Sequence, residues 1–70
     1  MLMQESLDVL SLMGCDCQVR VLPKAQYSVT VYFCKSGTTL FLNRQDMTLI
    51  ETMSFLDNAV SKVKGVISVQ

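Results

Sequence analysis

Histidine is absent from this 70-residue chain. That removes Ser-His and Cys-His nucleophile pairs and the usual proton shuttle at neutral pH. Glycine occurs only as Gly14, Gly37 and Gly65, too far apart to form a loop that cradles phosphate. Net charge is also absent: six basic residues cancel six acidic ones, so no long-range field draws nucleic acid or an anionic membrane. The basic pairs are loose, Lys62 with Lys64 and Arg20 with Lys24. No apolar run approaches the roughly 20 residues that span a bilayer. The first segment, Met1 to Met13, is fairly apolar, yet it lacks a basic start and is interrupted by Gln4, Glu5 and Asp8. It does not read as a signal peptide. With no glycosylation triplet either, the expected location is cytoplasmic, in the producing cell or in a host.

The three cysteines are an odd number without secretory context, so reduced thiols are expected rather than a disulfide framework. Cys15-Asp16-Cys17 resembles half a metal site, but only Cys34 remains to complete it and zinc needs four ligands. The cysteines read instead as small hydrophobes, and no metal or cofactor is expected. Cys17 and Cys34 fall on opposite strand faces, which argues against a bond between them. Among the carboxylates, Glu5 and Asp8 share a solvated helix face, Glu51 caps a helix and Asp57 sits among polar neighbours. A chain this short also has little room for a substrate pocket of roughly 300 Å³. Enzymatic activity is not expected.

What is present is one domain's worth of patterning. Half of the residues are apolar, too many for a disordered chain. Such a length buries only about 60–65% of its unfolded surface, so self-association is a natural supplement to stability. Met3, Leu7, Leu10 and Met13 recur at helical spacing, with Gly14 placed to end the helix. Leu2, Val9 and Leu12 widen the apolar surface, as if the helix were covered on two sides. Cys17 to Leu22 reads as a strand with Cys17, Val19 and Val21 inward. Tyr27 to Cys34 is the strongest strand signal, with Tyr27, Val29, Val31 and Phe33 on the inner face. Thr39 to Asn43 forms a third strand with Leu40 and Leu42 inward.

The turns fix the register. A three-residue loop at Pro23-Lys24-Ala25 sets Val21 against Tyr27 and Val19 against Val29. A two-residue loop at Ser36-Gly37 sets Phe33 against Leu40 and Val31 against Leu42. Each pairing matches apolar faces, and a one-residue slip would turn a strand inside out. The last helix is predicted over Leu49–Lys64. Thr48 and Glu51 form its capping box, and Leu49, Met53, Leu56, Val60 and Val63 its buried stripe. Lys62 and Lys64 complement its negative end, and Gly65 terminates it. The tail from Gly65 to Gln70 is either a frayed end or a short additional strand. The predicted class is α+β in the order αβββα, a three-stranded antiparallel meander with both helices on one face.

That order and length resemble the double-stranded RNA-binding domain, in topology and not in motif. The family holds phosphates with basic residues at the start of its last helix. Here the corresponding stretch, Gln45 to Met53, carries Asp46 and Glu51 and no lysine. Single-strand readers interleave rings with basic side chains; Tyr32 and Phe41 offer rings in a mostly uncharged neighbourhood. Nucleic-acid binding is therefore the alternative reading, and none is expected.

The leading expectation is a non-catalytic protein-binding module acting by occupying a partner. Its concrete form would be a small stoichiometric inhibitor or adaptor, of the sort mobile elements encode. On the registers above, Tyr32 lies opposite Phe41 on the face turned away from the helices. Cys34 with Thr39, Thr30 with Asn43, and Asp16 lie beside them. Tyr32, Phe41, Cys34, Thr30, Asn43 and Asp16 are the predicted contact residues, toward a protein partner or a second copy.

Overall fold

The computed structural model describes residues 3–35 and 37–69. Leu2, Ser36 and Gln70, each given a role from sequence, lie outside them. The order is α1 (Met3–Leu12), β1 (Asp16–Leu22), a single 3₁₀ turn (Pro23–Ala25), β2 (Gln26–Lys35), β3 (Thr38–Met47) and α2 (Leu49–Val69). The strands form one antiparallel sheet in the order β1-β2-β3. Both helices pack on the same face, α1 against β1 and α2 against β2 and β3. The predicted αβββα class is the observed one.

Gly14 ends α1 as expected, through a Schellman arrangement. It takes φ +87°, the left-handed region that glycine enters without a Cβ penalty. The Cys15 amide donates to the Leu10 carbonyl at 3.0 Å, and the Gly14 amide to the Ser11 carbonyl at 3.0 Å. Leu10 and Cys15, the two side chains this motif brings together, are both buried. Leu12 is not: it is 88% exposed, so α1 is covered on one side only and the expectation of two covered sides is corrected.

Both hairpin registers are the predicted ones. Val21 pairs with Tyr27 and Val19 with Val29 across the Pro23–Ala25 turn. Phe33 pairs with Leu40 and Val31 with Leu42 across the second. Val29, Val31 and Phe33 are buried at the centre of the sheet with Leu10, Leu56, Ala59 and Val63. Val21 departs from expectation, at 74% exposed. Helix α1, ten residues or about 15 Å long, joins β1 at its start. It stops short of the far end of a strand about 23 Å long.

Strand β3 runs four residues further than Asn43, through a bulge. Val29 pairs with Arg44 and Tyr27 with Met47, so Gln45 and Asp46 together oppose Ser28. Asp46 takes φ +59° there. The extra residue shifts the alternation by one, and Met47 turns inward where it is fully buried. Without the shift Asp46 would occupy the inward position.

Helix α2 begins as predicted. The Glu51 amide donates to Thr48 Oγ1 at 3.1 Å and the Thr48 amide to Glu51 Oε1 at 3.0 Å. These bonds, with Arg44 adding its charge last, hold the Glu51 carboxyl below the usual glutamate value. The predicted end at Gly65 is corrected: the helix continues to Val69. Glycine in a helix interior costs only about 1 kcal/mol, and Val66 packing against the core lies beyond it. Residues 65–69 are therefore helical rather than an additional strand, and Lys62 and Lys64 are not in the last turn.

The buried face of α2 is also rotated from the predicted stripe. Thr52, Leu56, Ala59 and Val63 are fully buried, Met53 and Val60 are half-buried, and Leu49 is 46% exposed. Thr52 and Ala59 are small residues that are fully buried within this face. Thr52 satisfies its hydroxyl locally, donating to the Thr48 carbonyl at 2.8 Å. A second polar contact joins the helices: Ser6, 2% exposed, donates through Oγ to Asp57 Oδ1 at 3.0 Å.

The thiols occupy three environments. Cys15 is buried, Cys17 half-buried and Cys34 exposed. Burial, then the charge of Asp16, pushes the Cys15 thiol up; burial, then Cys15 and Asp16, does the same for Cys17. Being the exposed thiol, Cys34 is expected to react first with a maleimide on the native protein, ahead of the more covered Cys17 and Cys15. Mass spectrometry of a timed labelling series measures this. Equal rates at all three would contradict the face assignments.

Candidate functional site

Strand alternation places the even-numbered residues of β1 and β2 on the face without helices. Tyr32 is the centre of one row across the sheet, with Asp16 opposite it on β1 and Phe41 opposite it on β3. The two rings meet edge to face, centroids 6.5 Å apart at 67°. That geometry sets the positive edge of one ring against the negative face of the other. Both rings remain in water, Tyr32 41% exposed and Phe41 58% exposed.

The flanking rows are polar and internally bonded. On the hairpin side, Thr39 donates through Oγ1 to Cys34 Sγ at 3.7 Å. On the other side, Asn43 donates through Nδ2 to Thr30 Oγ1 at 3.3 Å. The sheet therefore brings together all six residues predicted from sequence: Tyr32, Phe41, Cys34, Thr30, Asn43 and Asp16. Gln18, opposite Thr30, and Arg20, opposite Ser28, extend the same face and are exposed. Their signal was the strict alternation with Cys17 and Val19. Ser28 differs from its neighbours: only 8% exposed, it sits where the bulge of β3 interrupts the pairing.

The described residues of this face present two rings, hydroxyl and amide groups, one thiol and the Asp16 carboxylate. The Tyr32 phenol is pushed above its ordinary value, first by the neighbouring Cys34 and a hydrogen bond with it, then by slight burial and the Asp16 charge. It remains a neutral hydroxyl, able to donate and accept, at physiological pH. Among the described residues no group of three or more His, Cys, Asp or Glu is placed to hold a metal ion. Among the described residues no helix is long and apolar enough to cross a membrane. The start of α2, where the RNA-binding family carries cations, has Arg44 nearby, with Nη2 3.4 Å from Glu51 Oε2 and so engaged by an internal carboxylate.

Comparison with protein-family models, with curated proteins and with solved structures finds no significant match for the chain.

Proposed function

We propose that this chain is a non-catalytic protein-binding module whose contact surface is the helix-free face of the sheet around Tyr32 and Phe41. On this reading it acts by occupying a partner, as a small stoichiometric inhibitor or adaptor of the kind mobile elements encode. The observation that carries the proposal is the edge-to-face ring pair, left exposed by the described residues on the sheet face opposite both helices. The rings are mutually oriented by the strand pairing, so little ordering remains to be done on association. Burying both would contribute several kcal/mol, at roughly 25 cal/mol per Å² of apolar area before association costs. The surrounding Asp16, Thr30, Asn43 and Gln18 form a polar rim of the kind that surrounds such anchors.

The test is the Tyr32→Ser, Phe41→Ser double variant compared with the wild type in affinity capture from the native host. The expected result is a variant folded by circular dichroism that no longer retains the protein captured by the wild type. Unchanged capture by the folded variant would reduce the pair to hairpin packing. Tight binding of double-stranded RNA that weakens steeply with salt would replace the proposal with the nucleic-acid reading.

A further inference from the structure

We propose that the outer edge of β3 pairs antiparallel with the same edge of a second copy, about a two-fold axis passing through Phe41. The sheet has the order β1-β2-β3, so β3 has a strand on one side only. An edge without a strand is a template for another, and chains that stay apart blunt such edges with charges, proline or bulges. Here the bulge at Gln45 and Asp46 blunts one end alone. Regular edge remains from Thr38 to Arg44, bounded by the hairpin turn and the bulge, and Phe41 is its midpoint.

Folding that segment against itself gives pairs that agree on both faces. Phe41 meets Phe41 of the second copy on the helix-free side, and Thr39 meets Asn43 there. Leu40 meets Leu42 on the helix side, and Thr38 meets Arg44 at the ends. No like charges are opposed. Sliding the register by two residues toward the bulge would instead set Leu40 against Arg44, which disfavours it. Leu40 and Leu42 are only half-buried within one chain. The helix above them has the same character: Glu51 reaches Arg44 of β3, and Phe55, one turn further along that side of α2, is half-buried and apolar. The other edge fits itself less well, because centring β1 on Val19 sets Asp16 against Leu22.

The dimer would have a continuous six-stranded sheet with all four helices on one side. Tyr32, Phe41, Phe41 and Tyr32 would then form one row of rings across the opposite side. The pairing itself goes beyond the binding function proposed above; only what the four-ring row contacts rests on that reading.

The test is sedimentation equilibrium of the full chain over a wide concentration range, with charges placed at the exposed Thr39 and Asn43. Wild type is expected to be a concentration-dependent dimer. Thr39→Lys with Asn43→Lys opposes lysines twice and is expected to weaken it by about tenfold or more. Thr39→Lys with Asn43→Glu sets opposite charges across the same two pairs and is expected to restore it. A wild type that stays monomeric, a dimer indifferent to the paired lysines, or no recovery with the Lys/Glu pair would each overturn the proposal. Should the lysine variant not fold, Phe41→Cys in a Cys34→Ser background replaces it. A cysteine on the axis is expected to form an interchain disulfide under mild oxidation, and a chain that remains single would overturn the pairing. Tyr32→Ser alone separates the two ideas: it leaves the β3 edge intact, so the dimer should persist while partner capture falls.

Discussion

Leu56→Ala is expected to destabilise the domain by about 2–5 kcal/mol, while Leu49→Ala, two turns earlier on the same helix, costs well under 1 kcal/mol. Leu56 is fully buried among the sheet residues, so its removal leaves a cavity as well as losing transfer energy. Leu49 is 46% exposed at the first position of α2, where truncation leaves no void. Domains of this length hold roughly 3.5–10 kcal/mol in total, so the Leu56 variant approaches the whole margin. Urea denaturation of the two variants measures the contrast. Equal losses would return the buried face of α2 to the stripe read from sequence.

That stripe shows where sequence reasoning succeeds and where it slips. Leu56 and Val63 were found because large apolar residues at helical spacing mark a core face. The centre of the face was missed because Thr52 and Ala59 are small, and a hydrophobicity pattern weights size. The threonine hydroxyl is satisfied inside its own helix. Gly65 misled in a similar way. As a local signal it ends a helix, but the packing of Val66 makes continuation worthwhile.

The sheet was legible in its registers and obscured at its bulge. Tyr27 to Phe33 alternate without fault, and both turns have lengths that keep apolar faces together. Arg44, Gln45 and Asp46 break the alternation, so β3 reads as finished at Asn43. Only the buried Met47 beyond them shows that one residue has been inserted. The candidate face was recoverable for the same reason as the registers: once Phe33 pairs with Leu40, Tyr32 must lie opposite Phe41. The Ser6 to Asp57 bond left no comparable trace, because nothing local distinguishes a serine that meets another helix from one in water.

Phe33→Ala is expected to cost about 3–5 kcal/mol and leave much of the population unfolded at room temperature. Phe41→Ala is expected to cost about 1 kcal/mol or less, the scale of a cross-strand ring pair. The two phenylalanines lie on adjacent strands of one hairpin and differ in the side of the sheet they face. Phe33 is 1% exposed beneath the helices, and Phe41 is 58% exposed on the other side. Thermal or urea unfolding of both variants measures the difference. A Phe41 variant as unstable as the Phe33 variant would mean that the aromatic face belongs to the core and is not held open for a partner.

The hydrogen bond between Ser6 and Asp57 spans 51 positions of chain. Both strand pairings, by contrast, close across turns of two or three residues. Closing a short turn costs little chain entropy, so the hairpins can assemble first, while docking α1 onto α2 must gather nearly the whole molecule. A ten-residue helix is marginal on its own and gains its order from that docking. The N-terminal helix is thus expected to arrive last during folding and to leave first during partial opening. Amides of α1 should exchange with solvent hydrogen well before those of β2, which is bonded on both sides. Each such departure would uncover Cys17 and Val19, so the lifetime of the helix contact, more than the strength of the sheet, sets how long the inner thiol stays out of reach.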